Sequence, residues 1–155
     1  MSNFKIVAKN RRARFDYEIT ETVEAGIILT GSEIKSIRNG RVSINESFVG
    51  TVNRSIELYL FNADVSLCKQ ASYNNHEPRR PRALLLHKIQ RTKFLNAIQQ
   101  KGMTIVPLTM YLNHRGIVKI SIALAKGKNV VDKRETIKRR DWALEKAKIM
   151  KKFNR

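Results

Sequence analysis

The chain has one cysteine, three prolines and one tryptophan in 155 residues. A lone Cys68 excludes an internal disulfide framework and any cysteine-based zinc site. Its expected place is that of a small, buried hydrophobe. Acids are scarce, 13 Asp plus Glu against 31 Lys plus Arg. No apolar run approaches the roughly 18 residues that a bilayer-spanning helix needs. The opening stretch MSNFKIVAKNRRAR lacks the apolar segment of a secretory signal. A soluble, cytoplasmic protein is expected.

Enzyme signatures are missing as well. There is no GxxxxGK[ST] phosphate loop and no GxSxG nucleophile elbow. His76, His87 and His114 are scattered, with no carboxylate at ligand spacing, and are expected at the surface or in loops. Glu18, Glu21, Glu24 and Glu33 follow no metal-site pattern, and most of them read as solvated charges near strand ends. The sequence offers no catalytic residue, no metal site and no cofactor site.

What the chain has is positive charge, +18 net at pH 7. A surplus of that size repels itself in the compact state and is relieved by a polyanion. Nucleic acid is the leading candidate partner and an anionic membrane the second.

Hydrophobic periodicity gives a β-rich body. Phe15, Tyr17 and Ile19 alternate as in a half-buried strand over 15–20, and a β-branched run over 24–31 is broken by Gly26 and Gly31. A glycine inside such a run marks a bulge or a close backbone approach. Ile34 and Ile37 predict one or two helical turns that stop at Asn39-Gly40. Segments 46–52 and 55–61 flank a turn at Asn53-Arg54 and predict a hairpin; 104–112 and 116–125 flank Asn113-His114-Arg115 and predict another. Pro107 places its strand at an edge or at a bulge. Residues 1–14 read as a flexible lead-in and 69–82 as a polar surface loop. After the apolar run Leu84-Leu85-Leu86, a helix is predicted over 87–102 with Gly102 as its stop. About six antiparallel strands with about three helices suggest an OB-like six-stranded barrel over residues 1–129.

Residues 130–155 differ from this body. Asp132 is a candidate helix cap with Glu135 three positions on, and no Gly or Pro follows. Trp142, Ile149 and Phe153 fall on one side of such a helix, but Ile137 and Leu144 fall nearly opposite. From Lys126 to Arg155 twelve Lys plus Arg face four acids, a local charge of +8. A helix with no single apolar stripe and this self-repulsion is marginal alone in water. The expectation is a flexible basic tail, disordered when free and helical inside a polyanionic channel. An ordinary terminal helix packed on the body is the alternative.

Basic residues recur elsewhere. NRRARFDY interleaves Arg11, Arg12 and Arg14 with Phe15 and Tyr17, pairing phosphate contacts with rings that stack on unpaired bases. Lys35, Arg38 and Arg41 repeat every third residue. In AKGKN, Gly127 between Lys126 and Lys128 suits a backbone phosphate contact. An RNA-binding adaptor, a structural ribosomal protein with a basic extension and an RNA-processing enzyme all remain compatible with these features.

The stretches NRRARFDYEI, EAGIILTGSEIKSIRNGR, RALLLHK, VKISIALAKGK and DKRETIKRRDWALEKAKIMK together resemble the SmpB family, the bacterial SsrA-binding proteins. The resemblance implies an OB-like barrel with helices and a role in trans-translation. It implies binding to the tRNA-like domain of transfer-messenger RNA and entry with it into stalled ribosomes. Peptide tagging and release of the ribosome follow from that entry. The small-subunit decoding centre and the mRNA path become partners, with elongation factor Tu contacted through the shared RNA. The RNA-contact positions implied are Asn10, Arg12, Tyr17, Glu24, Lys35, Arg38, Leu85 and Lys119, to which the basic pattern adds Arg14. Gly127, Asp132, Lys133, Arg134, Trp142, Ile149 and Met150 are implied as the ribosome-probing tail, to which the glycine-lysine pattern adds Lys128. The chain departs from many members at Val131, where they carry a histidine. A monomer, without membrane contact, is expected.

Overall fold

The apolar segments around Asn113-His114-Arg115 form the longest hairpin of the chain. The computed structural model describes residues 4–53, 55–69, 75–127 and 130–153. In chain order the elements are β1 (Lys5–Lys9), α1 (Ala13–Asp16), β2 (Tyr17–Ile27), α2 (Gly31–Arg38), β3 (Val42–Ser43) and β4 (Phe48–Gly50). They continue with β5 (Tyr59–Phe61), β6 (Asp64–Val65), β7 (Arg82–Leu85), α3 (Lys88–Ile98), β8 (Met103–Leu112), β9 (Val118–Gly127) and α4 (Val130–Phe153).

The β8–β9 turn is built by asparagine and glycine. The Asn113 Oδ1 accepts from the backbone N–H groups of Arg115 (2.9 Å) and Ile117 (3.0 Å), and Gly116 takes φ +75°. Such a φ is strained for residues with a Cβ. Pro107 falls where the β8–β9 register slips, between Pro107 and Thr109, as the bulge reading required.

The principal sheet is antiparallel and nearly closed. Its order is β8-β4-β5-β7-β2-β9, with β9 returning to β8, and β1 hangs on the far side of β8. The result is a near-closed ring of six strands with four helices among the described residues. β3 and β6 make a separate pair. Inside the ring lie Ile105, Met110, Ile120, Ile122 and Leu124 from β8 and β9, Leu60 and Leu84 from the facing strands, and Ile37 and Phe94 from α2 and α3. Each such fully buried side chain contributes about 1.5–3 kcal/mol by its transfer from water. Strand alternation sends Val106, Ala123 and Ala125 to the outer face, where they meet Ala13 of α1 and the side chains of Tyr17 and Ile19.

Several local expectations need correction. Phe15 lies in α1 and the strand begins at Tyr17: the Arg12 carbonyl accepts from the N–H of Phe15 (3.1 Å) and of Asp16 (2.9 Å), closing a helical turn that buries Ala13. The two predicted strands over 15–31 are one strand, bulged between Ile19 and Glu21 and ending before α2. Residues 5–9 are not a loose lead-in; they pair with β8, and Val7 and Ala8 pack on the core. The β4–β5 hairpin exists, but residues 51–58 connect it, and Arg54 lies outside the described residues. The polar segment 69–82 ends in β7, with 70–74 outside the described residues.

Two polar residues expected near the surface are buried. Glu33 sits at the third position of α2 in a reciprocal capping box with Thr30, and its carboxylate pairs with Arg80 and Arg82. His76 accepts or donates at 2.9 Å to the Ser32 hydroxyl through Nδ1, and its Nε2 lies 2.9 Å from the Val65 carbonyl. Because a carbonyl only accepts, Nε2 carries a proton and donates to Val65. Cys68 is buried, as expected of it.

The C-terminal region, expected to be flexible, is a continuous helix over 24 residues that starts before Asp132. Its described side chains are exposed, including Trp142 at 65%. Lys146, one turn on, places Nζ 5.2 Å from the Trp142 ring centroid, a cation–π contact within the helix itself.

Candidate nucleic-acid interface

The outer face of β2, β9 and β8 carries the candidate residues. Residues directly opposite in an antiparallel pair share a face. Gly26 is opposite both Lys119 of β9 and Leu85 of β7, Lys119 is opposite Tyr111 of β8, and Glu24 is opposite Ser121. Glu24, Leu85 and Lys119 therefore meet on one surface. Gly26 makes this possible: a Cβ there would stand 3.2 Å from the Leu85 Cβ. The glycine is the close backbone approach that its place in a β-branched run predicted.

Tyr111 joins this surface, although sequence reasoning missed it. Its hydroxyl donates to Glu24 Oε2, and the Phe4 ring stands edge-on to it at 5.2 Å between centroids. Burial first, then the hydrogen bond to and the charge of Glu24, hold the phenol well above its ordinary range, so it stays a donor. A signal was present. Counting back from the predicted 113–115 turn sets Tyr111 across from Ile117, on the same face as Lys119 two residues on; the hairpin is centred on Arg115, and that register sets Tyr111 against Lys119.

Beside this surface runs an open groove of about 430 Å³ lined by Lys9, Asn10, Arg11, Arg14, Thr22, Leu108, Thr109 and Ser121. Lysine, arginine and hydroxyl groups lining one groove suit a phosphodiester backbone. Asn10 has a structural task there. Its backbone N–H donates to the Leu108 carbonyl (2.8 Å) and its Nδ2 to the Pro107 carbonyl (3.0 Å), tying β1 to the β8 bulge. One of its two side-chain N–H donors is thus used within the protein.

Not every candidate gathers in one place. Arg12 and Tyr17 line a separate hollow with Asn45, Glu46, Ser47 and Phe48. Arg38 donates to the Gly116 carbonyl at 3.4 Å, so it braces the β8–β9 turn, and it borders a hollow with Arg115 and Ile117. Lys35 is exposed on α2. Gly127 is opposite Tyr17 at the end of β9, and Lys128 lies outside the described residues. Asp132 and Lys133 belong to α4, but their side chains lie outside the described residues. Arg134, Trp142, Ile149 and Met150 are exposed on α4. Among the described residues no cluster of His, Cys, Asp or Glu could hold a metal ion, and no helix is long and apolar enough to cross a membrane.

Comparison with known proteins places the chain in a family. The SmpB protein family model matches residues 7–152. The SsrA-binding protein of Afipia carboxidovorans is 52% identical over 147 residues, covering 95% of this chain and 92% of that protein. The SsrA-binding protein of Rhodopseudomonas palustris strain BisB18 is 53% identical over the same length, with the same coverage. A chain in the solved structure described as "tmRNA-SmpB: a journey to the center of the bacterial ribosome" superposes with a TM-score of 0.65 at 48% identity, covering 79% of this chain and 84% of that one. With an outer sheet face of acid, lysine and leucine beside a cationic groove, and a likeness that runs from β1 into α4, the chain belongs to the SmpB family.

Proposed function

We propose that this chain is an SsrA-RNA-binding protein of trans-translation and a non-catalytic adaptor. The observation that carries the reading is the meeting of Glu24, Leu85 and Lys119 on one face in a chain of this family. Lys119 and the groove residues supply phosphate contacts, and Glu24, an acceptor only, reads N–H or O–H groups. In the finer reading, the six-strand ring is an OB-like barrel over residues 1–129 that grips the tRNA-like domain of transfer-messenger RNA. Elongation factor Tu is met through that shared RNA. The protein works in the cytoplasm as a monomer.

Residues 130–155 form the second part of the reading. The exposed side chains of α4 and the +8 charge of residues 126–155 leave mainly backbone propensity and its contact with α1 to hold it. We infer that it is unstructured when free, and that the helix is the form it takes between ribosomal RNA walls, in the decoding centre and the empty mRNA path. Message and helix then compete for one channel, so the tail senses a stalled ribosome. Gly127, Lys128, Asp132, Lys133, Arg134, Trp142, Ile149 and Met150 are the tail residues assigned to this task.

The testing experiment is a pull-down with the tagged full chain from bacterial lysate, followed by sequencing of the captured RNA. One dominant RNA with a tRNA-like domain is the expected result. A random mixture overturns the reading.

A further inference from the structure

An exposed glutamate on a strongly basic surface has a competing partner close by. Glu24 and Lys119 are diagonal neighbours across β2 and β9, since Glu24 is opposite Ser121 and Lys119 is two residues away on the same face. Long side chains reach across such a diagonal. An ion pair between them would satisfy both groups and withdraw both from a ligand. In the structure the Glu24 carboxylate turns instead to β8, where the Tyr111 hydroxyl donates to Oε2. Oε1 is left to accept from elsewhere.

The tyrosine is itself held. Its backbone is fixed between β9, opposite Lys119, and β1, opposite Ile6. Its ring is backed edge-on by Phe4, half exposed just before β1. Phe4, Tyr111 and Glu24 thus form a chain of contacts from the residue before β1 to the middle of β2. None of the three has another described role in the fold: Phe4 and Glu24 are exposed, and Tyr111 belongs to neither apolar cluster.

We propose that Tyr111 is a positioning residue for RNA recognition: it holds the Glu24 carboxylate away from Lys119 so that its free oxygen accepts an N–H or a ribose 2′-hydroxyl of the RNA. The inference rests on the RNA-binding reading above. The hydroxyl contributes through Glu24 and not through a contact of its own, which makes the two residues energetically one unit.

The test measures binding of the full chain to transcribed SsrA RNA of Rhodopseudomonas palustris, comparing wild type, Tyr111→Phe, Glu24→Ala and the double variant. Tyr111→Phe keeps the ring and is expected to weaken binding about tenfold, the range for losing a hydrogen bond to a charged group. The double variant is expected to bind no more weakly than Glu24→Ala alone, with thermal midpoints close to wild type. Phe4→Ala, which removes only the backing ring, is expected to show a smaller loss that also vanishes in the Glu24→Ala background. Wild-type affinity in Tyr111→Phe overturns the inference, as do losses that add in the double variant. Failure of the wild-type chain itself to bind overturns the functional reading and the inference with it.

Discussion

The carboxylate of Glu33 and the guanidinium of Arg82 form an ion pair in which both side chains are completely buried. Arg82 also donates to the carbonyls of Ala63 and Pro78 at 3.0 Å, and Glu33 accepts from the Thr30 N–H at 2.9 Å. Every charge in the cluster has a partner, which is the condition for burying it without a large penalty. The pair ties the start of α2 to β7 and so sets where the basic face of α2 stands against the ring. Removing Glu33 strands Arg82, and removing Arg82 leaves the buried Glu33 Oε2 without its ion-pair partner while Arg80 keeps Oε1. Glu33→Ala or Arg82→Ala should each cost about 3–5 kcal/mol in urea unfolding. A cost within about 1 kcal/mol would mean that water reaches the site.

Glu33 also makes stability depend on acid. Burial alone would raise its pKa, but hydrogen bonds from Arg80, the Thr30 N–H and Arg82, with the Arg82 charge, outweigh it and hold the group below its ordinary 4.5. A pKa lowered by folding means that the unfolded chain takes up the proton first. The stabilisation is therefore full above the ordinary value and fades as pH falls through the folded one. Unfolding free energies measured from neutral pH to about pH 3 should drop more steeply for wild type than for Glu33→Gln. Parallel curves would show that another carboxylate governs acid unfolding.

This cluster also marks where the sequence stopped being legible. Thr30-x-x-Glu33 is a capping pattern, so the local role of Glu33 was readable. Its burial was not, because Arg82 lies 49 residues away and His76 lies 44 residues from its partner Ser32. Hairpins, the Pro107 bulge and the Gly26 approach were legible because turn chemistry and alternation are local. β1 was not, since KIVAK turns few side chains inward and its pairing with β8 is a contact across about two-thirds of the chain. Glu24, Leu85 and Lys119 came from resemblance. Their shared face and the Tyr111 hydroxyl needed the strand register.

Gly26 should resist substitution. A Cβ there meets Leu85 at its own Cβ, next to the backbone, so β7 must shift by a few tenths of an ångström. Overpacking of this kind costs about 1–3 kcal/mol, and for a valine the upper end is expected. Gly26→Val should lower the thermal midpoint by several degrees and also weaken RNA binding by displacing Leu85. Wild-type affinity in a folded Gly26→Val protein would show that the position of Leu85 is immaterial to the RNA.

Glu24 and Lys119 should separate by salt dependence. A lysine on a phosphate releases a counterion, so Lys119→Ala should weaken RNA binding and reduce the slope of log K against log salt by about one. Glu24→Ala should weaken binding with the slope unchanged or slightly steeper, because it removes a directional acceptor and a negative charge. Both variants should keep wild-type circular dichroism. A reduced slope for Glu24→Ala would place that carboxylate in the fold and not at the RNA.

Truncation after Lys128 separates the two parts of the molecule. It removes α4, whose described side chains are exposed and contribute nothing to either apolar cluster. The remaining ring should melt as before and bind transfer-messenger RNA with near-native affinity. Peptide tagging in a purified translation system should be lost, because the empty mRNA path is then unfilled. Circular dichroism tests the folding of the tail directly. If α4 is unstructured in the free chain, truncation removes little helical signal, and that signal appears only when ribosomes lacking message are added to the full chain. A large loss on truncation alone would mean a helix already formed in solution, and tagging by the shortened protein would remove the tail from the mechanism.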